Sequence, residues 1–250
     1  MRLTLLGSGN AAGMPVYGCD CMQCTRAIND KSYRRETACA LLESGNSSYL
    51  LDAGLMGIHD RFPPGHLAGI FLTHFHADHV QGLFELRWGK KIKIPVYCPP
   101  DSQGCDDLFK HPGILDFITL KKFKSFQLGD VRVTPLPLIH SKVTFGYVFE
   151  KGSQRVAYLT DTKGLPPRSM KYLADNPLDT LVIDTSFPPA IQTPGHNNLN
   201  DTLAIHQQLN PKQTVLTHIG HQLDGWLSEY HDHLPDAVMA GRDGLVVFPG

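Results

Sequence analysis

The chain has 250 residues, of which 42% are hydrophobic and 19% charged, the balance of a folded globular protein rather than a disordered or fibrous one. Lysine and arginine number 23 against 24 aspartates and glutamates, a net charge of −1. That balance disfavours a grip on long nucleic acid, which rests on a basic surplus, and no apolar run is long enough to span a bilayer.

The chain opens on a strand pattern at 2–6. It has neither a long apolar core nor a cleavage site, so no signal peptide is read there and a cytoplasmic location is expected. A glycine-rich loop (7–13) leads into Cys19-Asp20-Cys21-Met22-Gln23-Cys24. In a cytoplasmic chain such grouped thiols point to metal before disulfide, and C-x-C-x-x-C suits ligation of one Zn²⁺. Zinc takes a fourth ligand, and the best candidate is His221 in Thr217-His218-Ile219-Gly220-His221. Cys39, Cys98 and Cys105 are scattered and read as structural thiols. Strands follow at 38–43 and 48–51, the second ending at Asp52-Ala53-Gly54.

The apolar stretch 69–72 then runs into Thr73-His74-Phe75-His76-Ala77-Asp78-His79. His74 and His76 lie two apart and point the same way in an extended segment, whereas the adjacent Asp78 and His79 cannot both join them. Two ligand pairs of different direction suit two metal ions better than one. Val80, Leu83, Phe84 and Trp88 share one face of an expected helix over 78–88. Further on come a strand at 95–97, a short helix at 105–109, and apolar β-rich runs at 131–139, 155–160, 180–183 and 213–217. Those four runs end at His140, Asp161, Asp184 and His218. A helix over 200–209 stops at Asn210-Pro211, and 245–248 closes the chain as a strand.

No linker or short repeat interrupts the chain. It reads as one domain, 1–250, with a small zinc-binding insertion around 19–24. The clusters Lys90-Lys91-Lys93 and Lys121-Lys122-Lys124 read as solvated faces. His59, His66, His111, His206, His231 and His233 lack ligand-like partners nearby in sequence and read as structural or surface residues.

The segment His74-x-His76-x-Asp78-His79 resembles the metal-binding motif of the metallo-β-lactamase superfamily. The resemblance implies an α/β protein, a four-layer αββα sandwich with a metal site at one edge of its two sheets. It also requires a His, an Asp and a His at later strand ends, where His140, Asp161 and His218 stand. A closer resemblance is carried by several stretches together. They are the cysteine cluster behind a glycine-rich loop, Val80-Gln81-Gly82-Leu83 after the histidine motif, and residues 104–113. Val133-Thr134-Pro135-Leu136-Pro137-Leu138 with His140-Ser141-Lys142, Thr144-Phe145-Gly146-Tyr147, and Leu216-Thr217-His218-Ile219 with His221-Gln222 complete the set. They resemble the PhnP phosphodiesterases of the carbon–phosphorus lyase pathway.

That likeness implies one metal on His74, His76 and His140, a second on Asp78, His79 and His218, and Asp161 bridging them. It also implies a structural Zn²⁺ on Cys19, Cys21, Cys24 and His221. Family members use Mn²⁺ at the paired site, and the donor set suits Zn²⁺ as well. Asp52 would support the ligand loop without ligating. His196 stands where related phosphodiesterases carry a histidine that contacts the phosphate, so it is the candidate general acid. Asp184 would orient it or a ligand, and Asp78 belongs to the catalytic set.

The implied reaction opens 5-phosphoribosyl 1,2-cyclic phosphate to ribose 1,5-bisphosphate in phosphonate catabolism. Two alternatives share the same residues: RNA 3′-end processing of the tRNase Z type, and a broader cyclic-nucleotide phosphodiesterase. The expected partner is a small phosphorylated sugar cyclic diester, with neither membrane nor nucleic acid; relatives commonly pair as homodimers. Arg34, Arg35, Lys142 and His111 have the chemistry to bind a second phosphate, but each reads as a surface or structural residue.

Overall fold

A computed structural model describes residues 1–250. Six strands come first: β1 (Arg2–Gly7), β2 (Cys39–Ser44), β3 (Ser47–Leu51), β4 (Leu67–Phe71), β5 (Ile94–Cys98) and β6 (Leu115–Thr119). Seven more form a second sheet: β7 (Phe126–Leu128), β8 (Val131–Pro137), β9 (Phe145–Lys151), β10 (Gln154–Leu159), β11 (Thr180–Asp184), β12 (Gln213–Thr217) and β13 (Val238–Ala240). The last strand, β14 (Val246–Val247), returns to the first sheet beside β1. The sheet orders are β14-β1-β2-β3-β4-β5-β6 and β13-β12-β11-β10-β9-β8-β7. The two sheets repeat one plan, with four antiparallel strands followed by three added in parallel.

The helices are α1 (Met22–Asn29), α2 (Ile58–Arg61), α3 (Ala77–Val80), α4 (Leu83–Leu86), α5 (Asp106–Lys110), α6 (Pro167–Ala174), α7 (Leu199–Leu209) and α8 (His221–Tyr230). Alternation along the strands shows why helices must cover both outer faces. Phe71 of β4, Tyr158 of β10 and Val182 of β11 enter the core between the sheets. Their neighbours Ile70 and Leu72, or Ala157, Leu159, Leu181 and Ile183, point outward into separate apolar clusters. Strands buried on both faces read as continuous apolar runs, as these do in the sequence. Phe71 is the hub of the inner core, with Tyr97, Tyr147 and Phe149 rings at 4.9, 5.1 and 5.3 Å. No helix is long and apolar enough to cross a membrane.

Two expectations need correction. The helix over 78–88 is split into α3 and α4, because the Gly82 amide donates to Ala53 O, 2.9 Å away, instead of continuing the helical ladder. A Cβ on Gly82 would lie 2.1 Å from Leu55 O, so this crossing of backbones needs glycine. The split also turns Trp88 off the packed face. It is 65% exposed, and Leu86 is buried in its place. The closing strand is only Val246–Val247, and Phe248 is 67% exposed.

Candidate dinuclear metal site

β3, β4, β8, β10, β11 and β12 all run toward the same edge of the sandwich. The loops at that edge carry Asp52, the histidine motif, His140, Asp161, Asp184 and His218. Residues beyond parallel strand ends are a recurrent place for ligands in α/β folds. Two of these residues hold left-handed backbone without being glycine: Asp52 (φ 57°) and His218 (φ 59°). Such conformations cost energy and persist only where surrounding bonds enforce them. For Asp52 the enforcement is visible. Its amide donates to Phe71 O at 2.7 Å, and its carboxylate accepts from the Thr73 amide at 2.8 Å. Its other oxygen lies 2.9 Å from His79 Nδ1.

The side chains gather into two adjoining sets that share Asp161. In the first, His76 Nδ1 lies 2.8 Å from His74 Nε2 and 3.1 Å from His140 Nε2. Asp161 Oδ2 is 3.6 Å from both His74 Nε2 and His140 Nε2. In the second, His79 Nε2 is 3.2 Å from Asp78 Oδ2 and 3.4 Å from Asp161 Oδ2. His218 Nε2 is 3.3 Å from Asp161 Oδ1 and 3.7 Å from Asp78 Oδ2. Asp161 Oδ2 thus faces His79 as well as His74 and His140, Oδ1 faces His218, and the residue is 2% exposed.

These residues fit a pair of divalent cations. Bonds of about 2.1 Å put ligand atoms roughly 3.0 Å apart in octahedral and roughly 3.4 Å apart in tetrahedral geometry, and the separations scatter around those values. Several ring nitrogens face one another at distances where lone pairs repel unless a positive charge sits between them. His79 Nε2 and His218 Nε2 are buried without a hydrogen bond of acceptable angle, although carboxylate oxygens lie near. A buried polar atom left in that state is costly, and a cation removes the cost. The outer nitrogens are fixed: His74 Nδ1 by Thr73 Oγ1 (3.0 Å), His140 Nδ1 by Gly195 O (3.1 Å), and His218 Nδ1 by Ser186 Oγ (2.8 Å). Such outer partners set which nitrogen faces a metal.

The electrostatics agree. Burial lowers the His74, His76 and His140 imidazoles below their ordinary value, keeping them neutral as metal ligands must be. Burial alone would raise the Asp161 carboxyl. The His218 and His79 rings outweigh it and hold the group well below the usual carboxylate range. Burial also opposes charge on His79 and His218, but Asp52 and Asp161 raise His79 and Asp161 raises His218. Cations entering here displace protons from those two rings.

Two further groupings accompany the pair, the first of them sharing Asp161 and His218 with it. His196 Nδ1 lies 2.8 Å from Asp184 Oδ2, and its ring stacks on His218 at 4.9 Å and 11°. Asp184 is fully buried, and it also accepts from the Thr162 amide (2.9 Å) and Ser186 Oγ (2.7 Å). The second shares no residue with the pair: His221 Nδ1 lies 3.5, 3.4 and 3.6 Å from Cys19, Cys21 and Cys24 Sγ. Tetrahedral zinc with one nitrogen and three sulfur ligands sets those edges at roughly 3.6 Å.

Residues 48–219 match the beta-lactamase superfamily domain. The chain belongs to the metallo-β-lactamase superfamily. A crystal structure of a diphosphatase from the PhnP family superposes with a TM-score of 0.83 at 28% identity, covering 99% of this chain and 97% of that one. Zn²⁺-bound PqqB from Methylobacterium extorquens superposes at 0.80 with 19% identity over 99% and 100%, a likeness of fold. An octanoyltransferase of Porphyromonas gingivalis is 26% identical over 98% of this chain, which spans 51% of that protein. The chain thus covers about half the length of that curated relative.

Within this superfamily fold the structure brings together every site residue named from the sequence. Other expectations fare differently. Arg35, weighed for a second phosphate, is committed elsewhere: its guanidinium holds Asp224 at 2.8 Å, Ser8 Oγ at 2.8 Å and Gly241 O at 2.6 Å. His231, Asp232 and His233 form an exposed turn. Thr73, Ser186 and the Gly195 carbonyl were not anticipated. Thr73 and Ser186 precede a ligand and follow a strand-end Asp respectively, a position that could have marked them.

Proposed function

We propose that this chain is a metal-dependent phosphodiesterase that opens 5-phosphoribosyl 1,2-cyclic phosphate to ribose 1,5-bisphosphate. The observation that carries the reading is the pairing of His196 with buried Asp184 beside His218, one ring away from the bridging Asp161. When bound, two divalent cations supply Lewis-acid polarisation and a water acidic enough to attack at neutral pH. His74, His76 and His140 would hold one of them and Asp78, His79 and His218 the other, with Asp161 common to both sets. Mn²⁺ and Zn²⁺ both suit this set. Asp184 holds Nδ1 of His196, leaving Nε2 to contact the phosphate and give a proton to the departing alkoxide. Cys19, Cys21 and Cys24 with His221 would hold a structural Zn²⁺.

The likeness to the PhnP-family diphosphatase favours a second reading, cleavage of a diphosphate by the same centre. A phosphate leaving group needs little protonation, so that reaction would depend less on His196. We place the activity in the cytoplasm, in phosphonate catabolism, with a small phosphorylated sugar diester as partner and a homodimer as the working state.

Phosphorus NMR of the Mn²⁺-loaded protein tests the reading. Loss of the strained cyclic resonance with appearance of a 1-phosphate monoester is the expected result. Turnover of diphosphates alone would move the assignment to the second reading, and turnover of neither would sink both.

A further inference from the structure

The stretch from Pro99 to His111, whose end overlaps the 104–113 segment singled out in the sequence, holds none of the ligands. In the fold its first turn lies against the loop that follows His140. A cleft of about 280 Å³ opens between them, lined by Asp101, Ser102, Gln103, Ser141, Lys142 and Val143. It adjoins the metal-ligand cluster, because Ser141 Oγ is 3.4 Å from His76 Nε2, the ring edge opposite the ligating Nδ1. Lys142 also lines a larger cavity, about 630 Å³, whose far wall carries Lys121 and Lys122.

Lys142 is unlike the other paired lysines of the chain. Lys110, Lys151, Lys163, Lys171 and Lys212 all meet a carboxylate at 2.5–2.8 Å. Lys142 Nζ sits 3.8 Å from Asp101 Oδ2 and 3.5 Å from Gly104 O. A charge-assisted bond of this kind closes to about 2.7–2.9 Å when made, so the ammonium keeps most of its three donors unused. It is only 27% exposed, a poor compromise for a cation with no use. Asp101 does not pull it closer because its Oδ1 is held by the Gln103 and Gly104 amides, both at 3.0 Å. The Ser102 and Gln103 side chains make no hydrogen bond within the chain and complete a polar wall beside the ammonium.

We infer that this cleft is a substrate subsite in which Lys142 binds an anionic group, a second phosphate, of the substrate that is not itself cleaved. The inference deepens the phosphodiesterase reading and rests on it for the word substrate. Asp101 is the positioning residue: it holds Lys142 over the cleft at a distance that an incoming phosphate oxygen can outcompete. Ser102 and Gln103 are placed to donate to the same group or to a neighbouring hydroxyl. The cleft therefore selects phosphorylated diesters over neutral-bodied ones, whereas Arg35 cannot serve because it is already paired.

The test uses Lys142→Met, which keeps the aliphatic stem, with Lys142→Arg as the conservative control. Two readouts are taken on the metal-loaded protein. One is the ratio of kcat/KM for 5-phosphoribosyl 1,2-cyclic phosphate over bis(4-nitrophenyl) phosphate. The other is calorimetric binding of ribose 5-phosphate, which needs no turnover. The expected result is a fall of about 10- to 100-fold in that ratio, carried by KM, and a matching loss of ribose 5-phosphate affinity, both largely restored by arginine. An unchanged ratio with unchanged affinity overturns the inference. Should the wild type hydrolyse neither diester, the functional reading falls, and the calorimetric arm alone decides whether Lys142 holds a sugar phosphate.

Discussion

His196 Nδ1 and Asp184 Oδ2 stand 2.8 Å apart, with the carboxylate fully buried and the imidazole ring stacked on His218. A buried acceptor on Nδ1 fixes the tautomer and leaves Nε2 without a partner in the chain. That arrangement suits a ring whose second nitrogen delivers or takes a proton.

Replacing His196 with alanine is therefore expected to lower turnover of an alkyl-leaving diester by about 10²–10⁴. The loss on a nitrophenyl diester should be much smaller, since nitrophenolate departs without a proton. Parallel steady-state assays check this, and equal losses on both substrates would remove the acid role.

Asp161→Ala should strip metal along with activity, because its two oxygens serve both sets of imidazoles. Elemental analysis after gel filtration is the measurement. A variant that retains two ions in this centre would show that Asp161 does not bridge them.

Asp52 touches no metal position, yet it is fully buried between His79 Nδ1 and the Thr73 amide. Asp52→Ala leaves both donors unpaired, which costs about 3–5 kcal/mol where a buried partner is lost. Metal affinity should fall by about 10- to 100-fold through the misaligned ring. Denaturant melts with and without added metal separate the two effects. An unchanged melt of the metal-free protein would mean that the carboxylate does not hold the loop.

The cysteine site should take up Zn²⁺ with release of protons. Burial pushes Cys21 up, but the Cys24 amide and His221 outweigh it and bring the thiol to about 6. Burial raises Cys24 too, and there the neighbouring Cys21 and Cys19 thiols reinforce it, up to about 12. At neutral pH the first is a thiolate and the second still carries its proton, which a cation must displace. Affinity should rise as pH rises through neutrality. Calorimetry in buffers of different ionisation enthalpy counts the protons; none released would contradict this assignment.

Much of the site was legible because its chemistry is local. Three imidazoles and a carboxylate within seven residues, placed after an apolar strand, leave few readings. The thiols and His221 were linked by ligand number alone. What sequence hid was long-range. Arg35 looked free because its partner, Asp224, lies 189 positions away. The helix over 78–88 looked continuous because nothing local announces that Gly82 will give its amide to Ala53. β6 and β7 were not read from periodicity, since short or edge strands carry little alternation; β9, an interior strand, was missed because Phe145–Phe149 is buried on both faces and so does not alternate. Lys142 was set aside as a surface lysine because a pairing distance cannot be seen in a string of letters.

The duplicated plan of the two sheets has a consequence for the ions. The first half of the chain ends β3, the last antiparallel strand of its sheet, just before Asp52 and supplies His74, His76, Asp78 and His79. The second ends the equivalent strand, β10, just before Asp161, and supplies His140 and His218. Neither half owns a complete coordination shell, and the two equivalent aspartates have taken different trades, one bracing a ring and the other reaching across the seam. Cations seated there would act as rivets between two half-proteins, so their removal should loosen the seam between the sheets.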